Sequence, residues 1–238
     1  MDNKTIKTRA KEINRASKPS IFLAALILIS LSLIMTTLSQ KSLISGISES
    51  VVDEASSLIV SGDYYSAMEI LSGYSPSAAG EALSLVMNIL KQVVLAGFVI
   101  FTMNTVRNTA PCLENLLDGF GIFFKLILLL LLEYVFVLLW SLLLVVPGII
   151  ALYKYRLALF ILIDNPDMGP MDCLRKSKEL MSGHKGELFR LDLSFIGWFL
   201  LASFFEPVEV YFLPYRQTSY VLFYQELIEK ESSANWFY

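Results

Sequence analysis

Glu133 stands inside LILLLLLEYVFVLLW (residues 126–140), one carboxylate among apolar and aromatic neighbours. A charge at the centre of a membrane-length apolar run costs about 2.5–3.5 kcal/mol on insertion scales for Asp, Lys or Arg. A group kept there faces the inside of a helix bundle or a wet cavity. Lys91, Lys125, Lys154, Arg156 and Arg216 also fall within or at the edges of apolar segments. Lys125 lies near a segment end, where its stem can carry the ammonium back to the surface. Glu133 lies about 18 Å by helical rise from Val145, and Arg156 about 12 Å beyond Gly148. The difference of about 6 Å is within reach of an arginine side chain, with Lys91 as the rival partner. Glu133, Arg156, Lys91, Lys154 and Arg216 therefore make a candidate intramembrane polar cluster. Three readings of it stay open: an ion pair that specifies helix assembly, a substrate or proton pathway, and an unpaired, protonated Glu133.

No catalytic motif accompanies these charges. H-E-x-x-H, G-x-S-x-G and the P-loop are absent. His184 is the single histidine, in Ser182-Gly183-His184-Lys185, and no carboxylate or thiol cluster supplies partners for a metal or a relay. No catalytic residue, metal site or cofactor is expected, and the chain reads as non-enzymatic. Lys176, Lys178, His184, Lys185 and Arg190 are candidate contacts for anionic lipid headgroups, each basic residue near a surface contributing about 1 kcal/mol. Asp164, Asp167, Asp172, Glu179 and Glu187 neutralise that stretch, so lipid specificity does not follow. Cys112 and Cys173 have neither metal nor redox spacing, and no disulfide is expected.

The elements that must hold these residues follow from composition. Of 238 residues, 55% are hydrophobic and only 17% charged, against about 25% charged in soluble domains. The mean hydropathy is +0.59. Solid apolar runs near 20 residues argue for an all-α polytopic membrane bundle rather than a barrel of short alternating strands. A net charge of -3 gives no footprint for nucleic acid. The expected partners are the lipid bilayer and other membrane proteins, and oligomeric state is unspecified.

Lys4, Lys7, Arg9, Lys11, Arg15 and Lys18 crowd the first 20 residues, whereas residues 39–83 carry Lys41 against six acids. The positive-inside rule places the basic N-terminus (1–20) in the cytoplasm and the loop 39–83 outside a cell membrane. The run from Ile21 to Leu38 exceeds a signal-peptide core and lacks a following A-x-A-like site, so it is read as a first span. In the outer loop, Ser50 to Asp53 resembles a capping box, and Val51, Val52, Ala55, Leu58 and Ile59 share one helical face. Gly62 should stop that helix, and Asp63 should cap another through Leu71, ended by Gly73.

Ser75-Pro76 opens span two, whose apolar body is 83–103, and residues 108–119 are a connector. Span three runs over 120–145, Pro147-Gly148 turns the chain, and span four covers 149–163. Residues 170–182 read as an amphipathic helix in the cytoplasmic interface. Its apolar half comprises Met171, Cys173, Leu174, Ser177, Leu180 and Met181. Span five is 191–205, and the less apolar 208–227, with Pro214 and Arg216, reads as a sixth span or, alternatively, as an interfacial helix that leaves five; either way one transmembrane domain covers 21–228, with a cytoplasmic tail at 229–238. Trp140, Tyr153, Tyr155, Trp198, Tyr211 and Tyr215 fit either membrane-interface or bundle-core positions.

WSLLLVVPGIIALYKYRLALFILIDNP (140–166), SKELMSGHKGELFRLDLSFIGW (177–198) and PYRQTSYVLFYQEL (214–227) together resemble bacterial integral membrane proteins of domain-of-unknown-function family 975. They are more distantly similar to the membrane domain of some glycerophosphodiester phosphodiesterases. The resemblance covers residues 119–228. It implies a six-helix membrane domain with a Pro-Gly hairpin before an S-K-x-L-M-x-G helix, and implies no activity. The functional expectation is an uncharacterised scaffold or an envelope, transport or peptide-immunity accessory. The alternative is a small-solute or peptide transporter with a polar cavity around Glu133. No half-to-half repeat favours the transporter.

Overall fold

The computed structural model describes residues 3–44, 49–75, 77–205 and 207–235. Among these it is helical throughout: α1 (Asn3–Ala16), α2 (Ile21–Ile44), α3 (Glu49–Ser61), α4 (Tyr64–Ser72), α5 (Ala78–Arg107), a 3-10 helix (Leu113–Ile122), α6 (Phe123–Leu143), α7 (Val145–Tyr155), α8 (Ala158–Asp164), α9 (Pro170–Leu180), α10 (Lys185–Leu193), α11 (Ile196–Phe204) and α12 (Val208–Asn235). Four segments are long and apolar enough to cross a membrane: Ile21–Leu43, Ala78–Arg107, Leu113–Leu143 and Val145–Asp164. The expected fifth span is instead divided between α10 and α11, nine residues each. The sixth falls on α12, which mixes Glu209, Pro214 and Arg216 into its apolar residues.

The chain divides into two compact units. Residues 30–92 form one of them. Here α3 and α4 follow the sequence signals closely. Gly62 ends α3 at φ +86°, in the left-handed region that glycine tolerates. Asp63 then caps α4, its Oδ1 accepting the Ser66 amide at 3.1 Å and its Oδ2 the Ser66 hydroxyl at 2.7 Å. Both bonds favour the carboxylate and hold Asp63 below its ordinary value. Ala55 and Ala67 are buried. α2 and α5 meet along small residues: the Ser39 and Ser84 hydroxyls lie 2.7 Å apart, and Ser42 donates to the Gly80 carbonyl at 3.1 Å. Ser75-Pro76, expected to open span two, falls partly outside the described residues.

Residues 1–29 with 93–238 form the second unit. Its basic N-terminal residues 3–16 form a docked helix. α1 lies on α12, burying Ile6 and Ala10, and Thr218 donates to the Asn14 side-chain oxygen at 2.7 Å with both residues buried. Lys7 donates to the Ser194 carbonyl at 3.0 Å, and its partial burial lowers its proton affinity. One face of α1 is therefore apolar enough to dock, and the cations occupy the rest.

The expected connector at 108–119 becomes mostly 3-10 helix. Two glycines explain its placement. A Cβ on Gly97 would stand 2.0 Å from the Leu116 carbonyl oxygen, and one on Gly119 would stand 2.2 Å from that of Val93. The backbones cross at a distance only glycine allows, as small residues do between packed helices. The expected turn at Pro147-Gly148 is displaced. Leu144, extended at φ -162° and ψ 152°, makes the turn, and both residues are helical in α7. Pro147 sits in the first turn, where its missing N–H costs nothing. Gly148 admits α6 closely, because a Cβ there would meet the Ser141 hydroxyl at 2.2 Å.

Candidate functional site

The span-length stretch Val145–Asp164 is broken between α7 and α8, at Arg156 and Leu157. A break strands backbone groups, which in an apolar setting must find other partners. Ser177 of α9 supplies them. Its hydroxyl accepts the Leu157 amide at 3.2 Å and donates to the Lys154 carbonyl at 3.0 Å, and the residue is fully buried. Cys173, Leu174, Leu180 and Met181 are buried with it, while Met171 is 45% exposed. The apolar half of this helix thus docks on α6, α7 and α8 rather than resting only at an interface. Burial pushes the Cys173 thiol up, which suits packing and not nucleophilic chemistry.

Around the break the structure gathers five polar groups. Asp192 on α10 accepts the Tyr153 hydroxyl at 2.9 Å on one oxygen and the Tyr220 hydroxyl at 2.6 Å on the other. The Arg156 guanidinium carbon lies 5.0 Å from the centroid of the Tyr220 ring. Glu133, half-buried on α6, has Arg156 as the cation whose charge acts on it. They form no ion pair: among the described residues the ion pairs are Arg107–Asp164, Arg175–Asp172, Lys176–Glu231, His184–Glu187 and Lys230–Glu226.

A second cluster lies at the ends of α5 and α8. Arg107 makes a two-pronged bond to Asp164, at 2.6 and 2.7 Å, and the Tyr224 hydroxyl donates to the same carboxylate at 2.8 Å. Tyr220 and Tyr224 are one turn apart on α12, so one face of that helix serves both acids.

The other candidate cations are distributed differently. Lys154 stands 5.1 Å from the Trp140 ring centroid. Arg216 packs against Phe199 and Phe212 at 5.0 and 5.2 Å, its Nε buried with no hydrogen-bond partner among the described residues. Lys91 belongs to the other unit, where it donates to Thr36 at 3.3 Å. Lys125 donates to the Pro166 carbonyl. Of the five candidate headgroup contacts, Lys176 is bound to Glu231 and His184 to Glu187 at 3.1 Å. Arg190 donates to the Gly186 carbonyl at 3.3 Å on its own helix. Among the described residues, Lys178 and Lys185 make no ion pair. Trp198 packs against Phe212, and Tyr215 is 1% exposed, so these aromatics occupy the core.

Asp164 and Asp192 are not among the site residues expected from the sequence, although the signal that singles out Glu133 is present in each. Both are lone acids in apolar sequence, FILID and RLDLSF. Ser177 gives no comparable signal, because nothing in the sequence marks the helix break it repairs. Among the described residues, no group of three His, Cys, Asp or Glu could hold a metal ion.

Residues 142–231 match the model of a family described as protein of unknown function (DUF975). No curated protein and no solved structure matches the chain. The matched stretch contains Tyr153, Asp164, Ser177, Asp192, Tyr220 and Tyr224, whereas Arg107 and Glu133 precede it.

Proposed function

We propose, for a chain that belongs through residues 142–231 to the DUF975 family of proteins of unknown function, a non-enzymatic role as a multi-pass scaffold of the bacterial cell membrane. Its partners are the bilayer and other membrane proteins of envelope, transport or peptide-immunity systems. The N-terminus lies in the cytoplasm, because α1 places its cations immediately before the first span-length helix. The packing of α1 on α12 supports a cytoplasmic C-terminus as well.

The observation carrying this reading is the closure of the internal acids on the protein itself. Asp192 spends its two oxygens on two phenols, and Asp164 on Arg107 and Tyr224. A satisfied polar network stiffens a bundle and specifies one packing of it. A carboxylate that must bind and release a solute or a proton is not ordinarily closed in this way.

A specific observation favours the transporter as second reading. Glu133 is unpaired by any described cation, and its electrostatic neighbour Arg156 stands at the break in a span-length helix. Interrupted helices mark substrate sites in many transporters. Reconstituted proteoliposomes decide between the two. The scaffold reading expects solute and proton fluxes indistinguishable from those of protein-free vesicles, for both the wild type and Glu133→Gln. A flux carried by the wild type and abolished by Glu133→Gln, with folding intact, overturns it.

A further inference from the structure

The cations of the second unit divide into those with a carboxylate and a small group without one. Lys154 is nine residues from Val145 and ten from Asp164, the ends of its span-length stretch. That places it about 14 and 15 Å from those ends by helical rise. Its carbonyl accepts the Ser177 hydroxyl, so Lys178, the next residue of α9, emerges beside it. Lys185 opens α10 and lies one turn before Phe189, whose ring meets Tyr153 edge-to-face at 5.9 Å. Asp192 on the same helix accepts the Tyr153 hydroxyl. The α10 face that carries Lys185 is therefore turned toward α7. The charges that act on Lys154 are those of Lys178 and Lys185.

Three lysines from three adjoining helices are thus placed near one another, and among the described residues none of them is ion-paired to a carboxylate. Neighbouring cations take acids: Lys176 has Glu231 and His184 has Glu187. Asp192 is already occupied by its two phenols. Lys154 and Lys185 are half-buried and Lys178 is exposed, so the cluster is accessible from outside. Like charges held near one another by a packed frame repel, and a bound anion relieves that repulsion. Each ammonium has three donors, and a group with several oxygens can engage all three lysines at once. Trp140, whose ring faces Lys154, gives that position an aromatic wall.

We propose that Lys154, Lys178 and Lys185 form a binding site for a phosphate group, carried by an anionic lipid headgroup or by free phosphate. The lipid source rests on the membrane reading, and the free-anion source does not.

The test uses the full chain, purified in neutral detergent, with the thermal midpoint followed against phosphatidylglycerol, phosphatidylcholine and inorganic phosphate, the last balanced with chloride for ionic strength. Phosphatidylglycerol or phosphate should raise the midpoint saturably, and phosphatidylcholine should not. Lys178→Gln should weaken the apparent affinity about fivefold, the loss of one basic contact near a headgroup. Lys154→Gln/Lys178→Gln/Lys185→Gln should abolish the response, while Lys176→Gln should retain it. A response to phosphatidylglycerol alone assigns the site to lipid, and a response to phosphate assigns it to the free anion. An unchanged response in the triple variant, or an equal one to phosphatidylcholine, overturns the site. If the triple variant does not fold, Lys178→Gln decides alone, since its exposed side chain supports no internal bond. A chain that stays dispersed without detergent refutes the membrane reading, and the phosphate measurement then still tests the lysine site.

Discussion

Gly97→Ala is the substitution whose cost can be worked most directly from the structure. The added methyl would sit 2.0 Å from the Leu116 carbonyl oxygen, 2.5 Å from its carbon and 2.8 Å from its Cα. All three are backbone atoms, so no side-chain rotation relieves the clash. The 3-10 helix and α5 must part by about 1 Å, which disturbs a close-packed interior. Gly119 stands in the same crossing, where its own Cβ would be 2.2 Å from the Val93 carbonyl oxygen, so neither side has slack. Overpacking of this kind costs about 1–3 kcal/mol, and rigid backbone on both sides argues for the upper end. Alanine recovers about 1 kcal/mol of helix propensity. The net expectation is a loss of about 2 kcal/mol. Gly197→Ala is the matched control, because nothing lies within 4 Å of its added methyl and only the propensity gain remains. Unfolding in mixed micelles by SDS titration, followed by far-ultraviolet circular dichroism, measures both. Equal stability of the two variants would refute the crossing geometry.

Two further outcomes follow from local chemistry. Ser177→Ala should cost about 1–3 kcal/mol by leaving the Leu157 amide and Lys154 carbonyl without the hydroxyl that joins them. Hydrogen exchange should quicken at Leu157, and unchanged protection there would show that the break is satisfied otherwise. For α4, the folded carboxyl of Asp63 binds its proton more weakly than the unfolded one, because Ser66 bonds its charged form. Its contribution to stability is therefore complete above the ordinary carboxylate value, about 4, and is lost as pH falls through the lower folded-state value. Amide shifts of Ser66 in a pH titration should report this loss, and Asp63→Asn should remove the titration.

How much of the molecule was legible depended on the range over which each residue acts. Gly62, Asp63 and Gly73 act within a turn, and the α3–α4 break and cap stand where those residues place them. The apolar half of α9 was likewise readable from its period, and five of its six residues are buried. Pro147 is a break signal that the sequence places in the turn, whereas it stands third in α7, within the first turn where its missing N–H leaves no bond unmade. The basic N-terminus gives no sequence signal of its docking, because its charges surround a short apolar face that only α12 makes useful.

Sequence alone determined that this chain is helical, that it carries apolar segments long enough to cross a membrane, and that lone charges lie among them; six spans are expected from it, whereas four of the described helical segments have the length and apolarity to cross. Those properties belong to composition and to periods of a few residues. Which acid meets which donor was decided only by the tertiary structure. Asp192 joins Tyr153 and Tyr220 across separations of 39 and 28 residues, and Ser177 reaches back 23 residues to Lys154. Glu133, conspicuous in one dimension, has an arginine as neighbour and no ion pair. Hydrogen-bond partners are chosen by distance in space, and distance in space is set by how the helices pack.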